Sequence, residues 1–222
     1  TVSNESGWAT VVKTNYIEVG AAVHYVSPSG NHISPFLSWS DAATNIQSAI
    51  DVALDTGDAF GPWIRVADGN YPIQQELILL SSVRVRSENG SGASVIYRHA
   101  ASAGNRLLVL SNQYAVVDGF SLTNGYLNVA NASGGGVRLF AGSLLNCVIQ
   151  SNRVYTTSSG NKVYGGGIYL SGGLVSNCII RFNRADPLPA YAGRPDGGGV
   201  YMTGGRIMDS FITDNYADGG IT

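Results

Sequence analysis

The chain has 222 residues, a formal net charge of −2 and a charged fraction of 13%, about half of the usual ~25%. That balance gives no electrostatic basis for binding nucleic acid or an anionic membrane surface, and no apolar run reaches the roughly 18 residues a spanning helix needs. Glycine is abundant, at 29 residues, against an average share of ~7%, which points to turn-rich β structure.

Residues 1–22 form an N-terminal arm without the basic start and apolar core of a signal peptide. From residue 23 onward a single domain is expected. Its one helical segment is "SWSDAATNIQSAIDVALDTG", read as a cap over residues 40–55 with the helix near 41–54. Ser40 or Asp41 is placed to cap its N-terminus, and Ala43, Ile46, Ala49, Ile50 and Ala53 form an apolar stripe at i, i+3, i+4 spacing. Its expected role is to cover the open end of a stack, as terminal repeats require.

Between residues 63 and 125 lie irregular runs of alternating β-formers broken by Gly, Asn and Ser. A regular repeat occupies residues 134–222. "GGGV", "GGGI" and "GGGV" start at Gly134, Gly165 and Gly197, and "DGGI" at Asp218. Gly134 to Asn152, Gly165 to Asn183 and Gly197 to Asn215 are the same step of 18 residues. Gly125 of "VVDGFSLTNG" falls in the asparagine column. A constant step implies two strands joined by a tight turn, because a one-residue slip would turn every side chain to the wrong face. The segments between steps vary in length, as loops do.

Alternation assigns the faces. Val137, Leu139, Ile168, Leu170, Val200 and Met202 point inward, with Arg138, Tyr169 and Tyr201 outward between them. Phe120, Cys147, Cys178 and Ser210 form one inward column, and Leu122, Ile149, Ile180 and Ile212 the next. The asparagines are assigned to the turn, in left-handed backbone conformation with their amides bonded to the next copy. Strand neighbours ~4.8 Å apart allow a Cys147–Cys178 disulfide, but a ladder of buried thiols is the favoured arrangement. The step also imitates a leucine-rich repeat. That fold needs a convex segment after the asparagine, where this chain has glycines and another strand, so a right-handed parallel β-helix is the expected fold.

The runs "HYVSPSGN", "SWSDAATNIQSAIDVA", "IRVADGNYPI" and "VVDGFSLTNG" resemble the N-terminal part of pectin-lyase-like right-handed β-helix proteins. The "GGGIYL…NCIIRFN" copies are similar to repeats of chlamydial polymorphic membrane proteins and related bacterial surface proteins. The resemblance covers residues 23–222. It implies a secreted or cell-surface bacterial protein on a fold that carries lyases, hydrolases, tailspikes and adhesins alike.

Catalysis on such a fold would imply Asp-rich calcium sites with an Arg or Lys base, or paired Asp residues for hydrolysis. The signatures N-T-D, D-D, G-H-G, W-x-D-H and R-x-P-x-x-R are all absent. Asp186, Asp196, Asp214 and Asp218 read as turn formers, with a calcium or catalytic role as the alternative, and His24, His32 and His99 as turn or surface residues. No catalytic residue, metal ligand or cofactor is assigned. The expected binding surface is instead tyrosine-based: loops 126–133, 153–164 and 184–196 should stack to one side, presenting Tyr126, Tyr155, Tyr164 and Tyr191 beside the Arg138, Tyr169, Tyr201 column. Tyrosine suits sugars or protein partners because it offers a flat apolar face and a polar tip; the bland alternative is a ladder that merely shields the sheet. The sequence is therefore read as an adhesin-like, polysaccharide- or partner-binding module. A polysaccharide lyase or glycoside hydrolase and a self-stacking stalk are the alternatives. Self-association is expected through the rung near residue 222, where the repeat stops short of a full copy.

Overall fold

The computed structural model describes residues 23–53, 61–156, 162–187 and 194–217, together with an antiparallel strand pair, Val2–Asn4 and Gly7–Ala9, in the N-terminal arm. From residue 23 onward every strand pairing is parallel, and the chain coils as a β-helix. Sheet I has seven strands, from Val23–Val26 to Arg206–Met208, and sheet II six, from Gly69–Ile73 to Phe211–Thr213. Sheet III has five, from Leu77–Leu79 to Val200–Met202. Each rung therefore carries three short strands where the repeat suggests two. The rung of Cys178 runs from Ile168–Leu170 through Leu174–Ser176 to Ile179–Arg181. Its corners are made by left-handed residues, Gly173 at φ 82° and Asn177 at φ 53°.

Inward side chains stack in register: Leu144 lies between Val117 and Val175, and Ile149 between Leu122 and Ile180. All six are 1% exposed or less and belong to one continuous core. Burying each such side chain is worth about 1.5–3 kcal/mol, which fixes the register that the constant repeat step anticipates. The inward thiols are free. Cys147 Sγ accepts the Phe120 N–H at 3.4 Å, Cys178 Sγ accepts that of Cys147 at 3.4 Å, and Ser210 Oγ accepts that of Cys178 at 3.1 Å. Burial pushes the Cys147 thiol well above its ordinary pKa, so that thiol stays neutral within the column.

The asparagine column differs from expectation. The left-handed positions belong to the preceding residues, Ser151, Phe182 and Asp214, at φ 55°, 55° and 52°. Asn152 and Asn183 turn inward and are 1% exposed. Asn183 Nδ2 donates to Ile149 O at 2.8 Å and Asn215 Oδ1 at 2.9 Å, while its Oδ1 accepts from both the backbone and the side-chain nitrogen of Asn152 at 3.0 Å. An amide that can donate twice and accept twice satisfies a buried turn as no apolar side chain could. Gly125 does occupy this column, its N–H donating to Asn152 Oδ1 at 2.8 Å.

The helix is shorter than predicted, Ile46–Val52, and Asn45 caps it by accepting the Ser48 N–H at 2.8 Å. Residues 40–45 are unavailable to it: Ala43 exchanges backbone bonds with Tyr25 and Ser27, and Asp41 accepts from the Ser38 hydroxyl. Ile46, Ala49 and Ile50 join the core at its N-terminal end.

Among the described residues, the segments between sheets II and III carry strands of their own. Tyr126–Asn128, Arg153–Thr156, Arg184–Pro187 and Tyr216–Ala217 pair as sheet IV, and Lys162–Tyr164 pairs with Arg194–Asp196. Leu127, Ala132, Val154, Val163 and Ala185 form a second small core beneath them. "DGGI" at 218–221 and Tyr191 lie outside the described residues.

Candidate functional site

The outer face of sheet III carries one column in register, Ile78, Val109, Arg138, Tyr169 and Tyr201. The rings of Tyr169 and Tyr201 stack with centroids 5.7 Å apart and an interplanar angle of 25°. Tyr164 arrives from the Lys162–Tyr164 strand and lies 4.6 Å from Tyr201 and 6.5 Å from Tyr169. The glycine triplet makes this approach possible. Gly165 has φ 61°, and a Cβ there would stand 2.0 Å from Ile168 O. Only glycine turns the chain so tightly from the lateral strand into sheet III. Arg138 completes the cluster, its guanidinium 4.6 Å from the Phe140 ring and 5.6 Å from that of Tyr169.

Beside Arg138 the face becomes ionic. Arg106 Nε lies 2.8 Å from Glu76 Oε2, and Arg106 Nη1 donates to Ser133 O at 2.9 Å. Burial lowers the pKa of Arg106, Glu76 opposes that shift, and the Arg138 charge adds to it. The ion pair is poorly aligned: neither Arg106 Nε nor Glu76 Oε2 gains a hydrogen bond, and the buried Nε of Arg138 also has no hydrogen-bond partner. A cavity of about 310 Å³ opens at this end of the column, lined by Asn45, Gln47, Gln75, Glu76 and Ile78 among others. Flat rings, side-chain amides and guanidinium groups are equipped to hold a polar, ring-shaped ligand. Among the described residues no group of three His, Cys, Asp or Glu could hold a metal ion.

Not all the predicted tyrosines meet. Arg138, Tyr164, Tyr169 and Tyr201 come together, but Tyr155 lies on sheet IV, stacked on Tyr126 at 6.5 Å with the Arg153 guanidinium 4.6 Å from its ring. The core under Val154 and Val163 separates the two groups. Asp186, expected as a solvated turn former, is 3% exposed and bridges Arg153 at 2.6 Å and Arg184 at 2.5 Å. His24 is likewise buried, its ring held 2.7 Å from Pro35 O.

Sequence reading missed a second surface, the outer face of sheet I near the helix. Trp39 meets Tyr25 edge to face at 4.6 Å, Arg65 lies 6.0 Å from the Trp39 ring, and Arg84 lies 5.2 Å from the Trp63 ring. Glu88 pairs with Arg65 at 2.5 Å and Asp118 with Arg86 at 3.7 Å. Cavities of about 380, 540 and 310 Å³ border these residues. Alternation in "WIRV" and "RVRS" marks Trp63, Arg65, Arg84 and Arg86 as outward; no periodic signal points to Trp39, which lies outside the strands.

Compared with protein-family models, with curated proteins and with solved structures, the chain finds no match in any of the three.

Proposed function

We propose that this β-helix is a bacterial cell-surface or secreted module of the pectin-lyase-like kind that binds polysaccharide in an adhesin-like role. The observation that carries the reading is the convergence of Tyr164, Tyr169 and Tyr201, from two separate sheets, beside Arg138 on one outer face. Three half-buried rings gathered on one outer face offer stacking surface at low entropic cost. A ladder that only shielded its sheet would need no ring from the lateral strand. The double variant Tyr169→Ala/Tyr201→Ala should lose at least about tenfold in affinity on a glycan array, as buried aromatic anchors do. Unchanged binding would sink the reading.

The alternative of a polysaccharide-cleaving enzyme draws on the sheet I groove, where Glu88 and Asp118 stand among Trp63, Arg84 and Tyr114. Both carboxylates are already ion-paired, Glu88 with Arg65 and Asp118 with Arg86, which counts against a free catalytic pair of the kind hydrolysis needs. Self-association belongs to the same proposal. The parallel pairing of Ile179–Arg181 with Phe211–Thr213 is the kind of edge addition that a second copy would extend. Light scattering should then register a rising mass with concentration; a strict monomer at high concentration would contradict it.

A further inference from the structure

We infer that the cluster of Tyr164, Tyr169 and Tyr201 is a site of oxidative modification, where one-electron oxidation joins Tyr164 to Tyr201 through a carbon–carbon bond between their rings. The two centroids lie 4.6 Å apart with the ring planes tilted by 48°, close to the arrangement of two directly bonded, mutually twisted rings. Tyr169 stacks on Tyr201 at 5.7 Å and meets Tyr164 at 6.5 Å, so the third ring can pass an oxidising equivalent to either neighbour. All three residues are partly exposed, within reach of a small oxidant and of water to take their protons. The backbone holds the pair together. Tyr201 stands on sheet III in register with Tyr169, and Tyr164 ends the lateral strand just before the tight Gly165 turn. Among the described residues one other pair of tyrosine rings is in contact, Tyr126 and Tyr155, and these lie farther apart, at 6.5 Å, and nearer to parallel, at 28°. Their ring carbons meet face to face across a gap that a bond would have to close by moving a strand.

In the step itself each phenol gives up one electron and its hydroxyl proton to become a neutral tyrosyl radical. The radicals combine at ring carbons beside the oxygens, and the hydrogens on those carbons move to the oxygens to restore both phenols. The electrons go to hydrogen peroxide through a haem peroxidase, which takes up the two released protons and leaves two molecules of water. Holding the rings side by side makes the coupling intramolecular, and proximity favours it heavily over encounter between separate chains. The product ties the lateral strand to the Val200–Met202 rung by a link that reducing agents do not cleave. No ligand enters the step, so its outcome is separate from that of the glycan reading.

The test treats the whole chain, at low concentration, with hydrogen peroxide and a haem peroxidase, then isolates the monomer and reads its dityrosine fluorescence and peptide masses. The expected product is a monomer lighter by two hydrogens, with Tyr164 and Tyr201 in one cross-linked peptide pair. Tyr164→Phe and Tyr201→Phe should each lower the yield at least about tenfold, with melting curves showing that both variants fold. Mapping the link in the unaltered chain keeps the test decisive if a variant unfolds. A link at any other pair, covalent oligomers without a coupled monomer, or oxidised tyrosines with no dityrosine would overturn the inference.

Discussion

Replacing Asn183 by Ala should cost about 3–5 kcal/mol of stability, read from urea unfolding. The amide is 1% exposed and makes four hydrogen bonds within the stack. Its loss leaves the buried Asn152 N–H without its acceptor and removes the donors to Ile149 O and Asn215 Oδ1, and each buried group left unmatched costs about 1–3 kcal/mol. The damage also spreads along the axis. Asn152, Asn183 and Asn215 form one ladder, so the variant cuts the link between consecutive rungs, the unit on which solenoid stability is built. Asn183→Asp should be at least as damaging, because a carboxylate cannot donate to Ile149 O or Asn215 Oδ1. A loss below about 1 kcal/mol would mean that the column is not the internal tie described above.

Gly166→Ala should be worse, abolishing soluble folded protein or costing more than about 3 kcal/mol, in the range reserved for overpacked cores and broken backbones. A Cβ at residue 166 would stand 2.3 Å from Gly198 O and 2.4 Å from the carbonyl of Arg184. Both are backbone atoms of the surrounding rung, so no rotamer change can make room. Gly92 is the matched control. Nothing lies within 4 Å of a Cβ there, and its φ is not positive. Gly92→Ala should be neutral or stabilising by about 0.4–1 kcal/mol through the unfolded chain. Equal tolerance at both sites, judged by expression and melting temperature, would contradict the packing described here.

These two sites also show what could be read from the residues alone. The fixed step from Gly165 to Asn183 and the alternation Ile168-Tyr169-Leu170 were enough to anticipate a parallel β-helix with Tyr169 outward, because register in a stacked sheet is a local property of a period-two pattern. Whether the left-handed turn falls on Asn183 or on Phe182 is a difference of one residue. Asparagine is so common in that conformation that the chemistry misdirects; Phe182 at φ 55° is where bulky residues rarely stand. The helix start failed for another reason: Ala43 is drawn into pairing with Val26, a tertiary contact that overrides a good helical stripe. The site was half legible. Outward tyrosines could be counted, but their partition into two groups depends on the buried cluster of Val154 and Val163, which no spacing announces. The unmatched Arg138 was invisible, since it is defined by Glu76 and Arg106 on earlier rungs. The Trp39–Trp63 groove was missed because a residue outside the strands supplies one of its walls.

The central claim, that the outer face of sheet III is the ligand surface, is tested most directly by nuclear magnetic resonance of tyrosine- and tryptophan-labelled protein titrated with an oligosaccharide. The account predicts that Tyr164, Tyr169 and Tyr201 shift together as the site fills, while Tyr126, Tyr155, Trp39 and Trp63 stay where they are. Shifts confined to Trp39 and Trp63, with the three tyrosines unmoved, would place the ligand in the sheet I groove and contradict it.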